Sequence, residues 1–241
     1  MKPKLLLTVA VLLPCGSYAA AQKAIDTGQT RPMTGYEKAI AKIDNMNDLK
    51  TAYDTMKTDY DRRYFLNALP GYFADHEIKA VPDWMEKAVL DGISSKDPQY
   101  IREAARTAGA LGTNCSDDLM ALYPAIRTTY GSHEDMLKST VLVSLISMDN
   151  ADKKRFYYDI LTRDEMPLGC AAFGALLDAI YAEPDPMYAQ KLDEFSVTLG
   201  TQIAQIEADT DKEKKYLLPR LNEIKDKIDR VRTKIATGGG K

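Results

Sequence analysis

Residues 97–112 read DPQYIREAARTAGALG, and the architecture expected of the whole chain follows from them. Asp97 stands at an N-cap position and Pro98 at the first helical position, where a missing N–H costs nothing. Ile101, Ala104, Ala105, Ala108 and Leu111 recur at helical spacing, and Gly112 supplies a left-handed C-cap. Ala104, Ala105, Ala108 and Gly109 leave one face almost without side-chain bulk, so neighbouring helices can approach closely on it. Arg102, Glu103 and Arg106 are expected to stay in water.

On both sides of this helix the periodicity is helical nearly everywhere from Thr34 onward, with no convincing alternating strand, which predicts an all-α chain. Helices are expected at 34–43, 47–58, 61–73, 82–94, 98–111, 117–130, 133–148, 152–163, 167–182, 186–208 and 213–236. Asn114-Cys-Ser-Asp, Gly131-Ser-His-Glu and Asp149-Asn-Ala-Asp read as turns with N-caps. Setting 98–111 beside 133–148 and 167–182 gives offsets of 36 and 31 residues, with Ala105, Val141 and Ala172 in register and Ala108, Ser144 and Ala175 after them. Each of these helices follows a shorter, more polar one. That is the two-helix unit of an α-solenoid, and residues 47–73 form a degenerate earlier unit with Arg62, Phe65, Leu66 and Leu69 standing roughly where Arg102 and its followers do.

Asp97, the aliphatic–Arg pair Ile101-Arg102 and the run Ala105-x-x-Ala108-x-x-Leu111-Gly112 resemble the second helix of a HEAT or HEAT-like repeat. The resemblance covers about Asn47 to Ala182. It implies a right-handed α-solenoid of about four helix pairs and a scaffold's habit of presenting an extended surface to a protein or peptide partner. Some HEAT-like proteins are enzymes, among them bilin lyases and an alkylpurine DNA glycosylase. The glycosylase reading needs a basic groove, and the lyase reading needs pigment biology that no residue here indicates.

Met136 to Met148 and Leu168 to Ala182 are apolar on nearly all sides, so both helices must be covered on two faces. The expected cover is the C-terminal segment. Leu217, Leu221, Ile224, Ile228, Val231 and Ile235 repeat as a heptad seam, and Leu192, Phe195, Leu199, Ile203 and Ile206 form a second stripe. Asp209-Thr-Asp between them, with Glu213 completing a capping box, can make the turn of a helical hairpin. Pro219 should kink the second helix or mark its true first turn. The competing reading is an intermolecular coiled coil, which would make the protein a structural envelope component dimerising through these heptads.

The chain begins with Lys2 and Lys4, nine mostly aliphatic residues from Leu5 to Leu13, Pro14 and Gly16, then Ala19 and Ala21. This is read as a secretory signal peptide cut after Ala21, which places the mature protein in a bacterial periplasm or outside the cell. The apolar run is about half of the roughly 20 residues a membrane span needs, and no later stretch is uncharged for that long. Cys15 raises the alternative of a lipid anchor. Leu12-Leu13-Pro14 is a poor match to the small residue lipoprotein processing needs before its cysteine, so the anchor is disfavoured. The expected organisation is signal peptide 1–21, flexible leader 22–33, helical repeat domain 34–184, helical hairpin 185–237 and tail 238–241.

The 241 residues carry 32 Lys and Arg against 35 Asp and Glu, a net charge of −3 that becomes −5 when Lys2 and Lys4 leave with the signal peptide. That balance excludes nucleic acid as the expected partner, because a phosphate backbone demands a basic face. His76 and His133 are far apart and lack the i, i+4 pairing of a helical zinc site, and there is no phosphate loop and no nucleophile elbow. Asp149-Asn-Ala-Asp152 lacks the alternation and distal Glu of a calcium loop. No pattern calls for a cofactor or a metal, and no catalytic residue is assigned. An enzyme, or its helical accessory domain, with a site of Asp, Glu, Tyr and His remains the alternative function.

Tyrosine is the over-used residue that could carry binding: Tyr53, Tyr60, Tyr64, Tyr72 and Tyr100 concentrate with Trp84 in the first half, although such residues also pack between short helices. The expected binding surface is the inner face around Arg62, Tyr64, Arg102 and Arg106. Cys115 and Cys170 are not expected to pair, because two repeats set them about 16–20 Å apart sideways, whereas a disulfide needs Cα atoms within about 7 Å. Cys170 should be a buried thiol and Cys115, in a polar turn, an accessible one.

Overall fold

The computed structural model describes residues 35–163, 166–209 and 214–238. The signal peptide with Cys15, the leader 22–33, the capping box at Glu213 and the last three tail residues lie outside the described residues. Those described are all-α, with no strand: α1 (Gly35–Ile40), α2 (Met46–Thr55), α3 (Asp59–Asp75), α4 (Asp83–Ile93), α5 (Pro98–Leu111), α6 (Ser116–Thr129), α7 (Glu134–Ile146), α8 (Lys153–Arg163), α9 (Ala171–Ala182), α10 (Ala189–Ala208) and α11 (Leu218–Ala236).

Local chemistry sets most of these boundaries. The Asp97 side chain accepts from the Gln99 N–H at 2.8 Å, Pro98 opens α5, and Gly112 closes it in the left-handed region at φ 63°. Thr58 caps α3 and Asn45 caps α2 in the same way. Pro219 lies in the first turn of α11, after a 3₁₀ turn at Lys214–Leu217, so it marks the start of that helix and does not kink it. Helix α9 starts at Ala171, later than the expected 167. Pro167 accepts from the Cys170 N–H at 3.0 Å in a turn, and Cys170 is extended at φ −78° and ψ 162°.

α3 packs on α5, α5 on α7, α7 on α9 and α9 on α11, giving a row of five helices. α4 lies against α5, α6 against α7, α8 against α9 and α10 against α11, forming a second layer behind the row. α2 joins that layer through Tyr53, whose ring lies 5.2 Å from Phe65 of α3 and 5.9 Å from Trp84 of α4. The core runs between the layers. Leu66 and Leu69 of α3, Ile101 of α5, Leu142 of α7, Leu176 of α9 and Ile224 of α11 are all fully buried. Each contributes about 1.5–3 kcal/mol by leaving water.

Small residues decide how closely the row packs. A β-carbon on Gly109 would meet the Ser144 backbone in α7, and one on Gly92 of α4 would lie 2.6 Å from the Ala104 Cβ. Side chains also bond across helices: Thr107 Oγ1 donates to the Leu66 carbonyl at 2.8 Å, and Ser147 Oγ to the Gly109 carbonyl at 2.6 Å. Lys153 is buried at the start of α8, where its ammonium pairs with Glu183 at 2.5 Å and donates to the carbonyls of Leu145, at 3.1 Å, and Met148. It thereby caps the C-terminal end of α7.

The structure corrects two expectations about side chains. Glu103 is not in water: it is 7% exposed, because the Arg102 and Arg106 guanidiniums both fold onto its carboxylate. Cys115 is not accessible but 1% exposed. In the turn before α6, Thr113 and Cys115 point inward while Asn114, Asp117 and Asp118 face out, so the sulfur joins the core from a polar-looking segment. Leu221, Ile224, Ile228 and Val231 of the heptad seam are buried where α11 meets α9 and α10. Among the described residues, Cys115 and Cys170 are both free thiols.

Candidate functional site

Among the described residues, the row of helices has one side against the second layer and the other uncovered. Counting about 100° per residue from Gly109, which faces α7, and from Gly174, which faces α11, Arg106 and Asp178 fall to the same side of their helices. Val143, counted from Ser144, which faces α5, falls on that side as well. Arg106, Val143 and Asp178 therefore line one open face, and Arg102, seven residues before Gly109, reaches from it toward α7, whereas Tyr181, seven residues after Gly174, points toward α11.

The structure brings together Tyr64, Arg102 and Arg106 of the expected site and removes Arg62 from it. Two positions apart on a helix, Arg62 and Tyr64 point about 200° apart. Arg62 Nε donates to the Met56 carbonyl at 3.2 Å and its guanidinium covers the Tyr53 ring at 5.4 Å, on the α2 side of α3. Its place on the open face is taken by Arg63, which lies over the rings of Tyr60 and Tyr64 at 4.6 and 4.9 Å. Hydrogen bonding with Tyr60, followed by that from Arg63, lowers the Tyr64 phenol from its ordinary value, while the Tyr64 partner raises that of Tyr60 against the pull of Arg63.

Beside this trio, Arg102 Nε and Nη2 both donate to Glu103 Oε1, the first at 3.0 Å, and Arg106 Nη1 donates to Oε2 at 3.2 Å. Arg102 Nη1 reaches the Met136 sulfur of α7 at 3.7 Å. Glu103 acts electrostatically on the Tyr64 phenol, so the two clusters are neighbours. The patch holds three guanidiniums against one carboxylate, on a chain whose net charge is −3. Arginines fixed this way present the rest of their donors in a set geometry, the arrangement that recognises carboxylates.

Five large apolar side chains are exposed among the described residues, and three are on helices of the row: Tyr60 at 55%, Val143 at 37% and Tyr181 at 45%. Tyr181 carries the Lys234 ammonium over its ring at 4.1 Å, and the same ammonium donates to the Tyr181 carbonyl at 2.8 Å. An open hollow of about 770 Å³ continues from there along Asp226, Asp229, Arg230 and Thr233 of α11. Its Asp229 is paired with Lys225 at 2.8 Å and with Arg232 at 3.4 Å, so this carboxylate is engaged with bases on its own helix.

The histidines take no part in this face as a pair. His76 stacks on Tyr72 at 4.1 Å beyond the end of α3, and His133 closes the 3₁₀ turn before α7. Among the described residues no three His, Cys, Asp or Glu are grouped to hold a metal ion. No helix among them is long and apolar enough to cross a membrane. The one signal that could have placed Arg63 from sequence is the spacing Tyr60-x-x-Arg63-Tyr64, which sets the first ring beside the other two side chains on one helix face. Val143 and Tyr181 gave no such signal, because they sit in helices apolar all round.

No protein-family model, curated protein or solved structure matches the chain.

Proposed function

We propose that the chain is an exported helical-repeat binding module, a HEAT-like α-solenoid whose open row face docks a protein partner. The reading of a repeated unit is supported by bonds between helices that join residues a similar distance apart. Asp59 with Ser95, Arg102 with Met136, Asp135 with Ala171 and Lys154 with Tyr188 are separated by 36, 34, 36 and 34 residues. Export rests on the lysine, aliphatic and small-residue order of the first 21 residues.

The observation that carries the binding function is the gathering of exposed Tyr60 and Val143 on one face beside fixed arginines. Aromatic residues and arginine are the side chains that dominate protein interfaces, and a row of rigid helices holds them without further ordering cost. Photo-crosslinking tests this directly. A benzophenone side chain at Val143 should give a discrete protein adduct in intact cells, and one at Val197, exposed on the second layer, should not. Equal labelling at the two positions, or none at Val143, would overturn the assignment of the face.

A further inference from the structure

The open face has a chemistry that selects one kind of occupant. Building on the binding role proposed for that face, we infer that the docked segment is an extended, acidic peptide chain with an apolar residue in step with its carboxylates. Two carboxylates sit on Arg63 and on the Arg102–Arg106 pair, and the apolar side chain lies on Val143 and Met136.

Three observations lead there. The first is charge: Arg63, Arg102 and Arg106 outnumber Glu103 on the surface of a net acidic protein, so the patch attracts what the rest of the surface repels. The second is preorganisation. Arg63 is held between two tyrosine rings, and Arg102 and Arg106 are held by a carboxylate that is 7% exposed, so a ligand carboxylate finds donors already in place. The third is the change of chemistry farther along the row. Past the arginines, α7 offers exposed Val143 and half-buried Met136, and α9 offers Asp178. A uniform polyanion would meet apolar Val143 and Met136 on α7, and the α9 carboxylate is already paired with Lys227 at 2.5 Å, whereas a peptide can set an apolar side chain against α7.

Spacing sharpens the inference. Neighbouring helices lie about 8–10 Å apart, and an extended chain advances about 3.3 Å per residue. A segment crossing from α3 to α5 to α7 therefore presents a new side chain to each helix about every third residue: acid, two others, acid, two others, aliphatic. The row direction sets the order, and the chain can run in either sense.

The test uses the mature chain and two fluorescein-labelled peptides, Gly-Glu-Gly-Ser-Glu-Gly-Ser-Leu-Gly and its reversal, read by fluorescence polarisation. At least one should bind, weaken severalfold between 50 and 300 mM salt (about the range over which exposed charges become screened), and fail when Glu is replaced by Gln or Leu by Ser. The Arg102→Ala/Arg106→Ala variant and Val143→Glu should each weaken it about tenfold or more. Because the double variant leaves Glu103 without partners, Arg63→Ala, which does not touch that pairing, provides a second readout in a chain checked by circular dichroism. Heparin binding more tightly than the peptides, with no dependence on Val143, would overturn the inference in favour of a polyanion. No peptide binding while Val143 still crosslinks a partner would overturn the acidic chemistry and leave the docking face intact; loss of both would remove the face as well.

Discussion

Gly109 faces Ser144 so closely that a β-carbon on the glycine would lie 2.8 Å from the Ser144 Cα and 2.8 Å from its carbonyl oxygen. The contact is backbone, so it cannot be relieved by turning a side chain. Gly109→Ala should therefore push α5 and α7 apart and destabilise the protein by about 1–2 kcal/mol, the overpacking cost less the gain in helix propensity. Gly200→Ala supplies the control, since nothing lies within 4 Å of its new methyl in the interior of α10. That variant should be stabilised by about 0.5–1 kcal/mol. Thermal or urea unfolding of the pair checks both signs, and a stabilised Gly109→Ala would refute close packing at this point of the row.

Asp135 of α7 caps the helix next to its own. Its Oδ2 accepts from the Ala171 N–H at 3.1 Å and its Oδ1 from the Ala172 N–H at 2.8 Å, while Cys170 offers only a weak sulfur acceptor to Phe173 at 3.3 Å. Asp135→Ala should cost about 1–2 kcal/mol and Asp135→Asn less, because the amide oxygen can still accept. Hydrogen exchange should localise the loss to the first turn of α9. Protection unchanged at Ala171 and Ala172 would show that this cap is not used.

The thiols give a prediction with a definite sign. Burial, followed by the charge of Asp135, pushes the Cys170 thiol up to about 12, and burial also raises Cys115. Disulfide-exchange reagents at pH 8 should find both cysteines slow in native protein and both fast after unfolding. A single fast native thiol would contradict the burial of Cys115.

The same groups set the alkaline limit of stability. In the unfolded chain a thiol ionises near 9.0, and in the fold Cys170 keeps its proton to about 12. Between these values the unfolded state binds fewer protons, so stability is complete below pH 9 and falls as pH rises. Burial raises Tyr100, Tyr157 and Tyr188 from 10.0 and adds to the fall above that pH. The melting temperature should drop steadily between pH 9 and 11. A flat profile there would show that these phenols and thiols are exposed.

Removing residues 186–241 should leave an aggregating fragment. α11 covers the Gly174 face of α9 with Arg220, Ile224 and Lys227, and Phe195 of α10 packs edge-on to Phe173 at 5.2 Å. Without them the apolar α9 becomes the open end of the row. A soluble, monomeric truncation by light scattering would show that α10 and α11 are dispensable to the rest.

Sequence alone determined where the chain is helical, because those signals are local. Asp97, Pro98 and Gly112 set the ends of α5 through bonds to residues a few positions away, and the apolar spacing of α11 named the face it buries. What tertiary structure decided depended on neighbours distant in sequence. Arg62 and Arg63 are adjacent and chemically equal, yet only the second reaches the open face, and that choice is made by Tyr53 of α2 taking the first. Glu103 reads as a solvated charge beside two others, and its burial needs both arginines and the approach of α3. Cys115 sits among turn residues, and its burial depends on which side of the turn meets the core. Helix periodicity reports that a face must be covered. Which helix covers it, and which residues stay open, is fixed only when the helices pack.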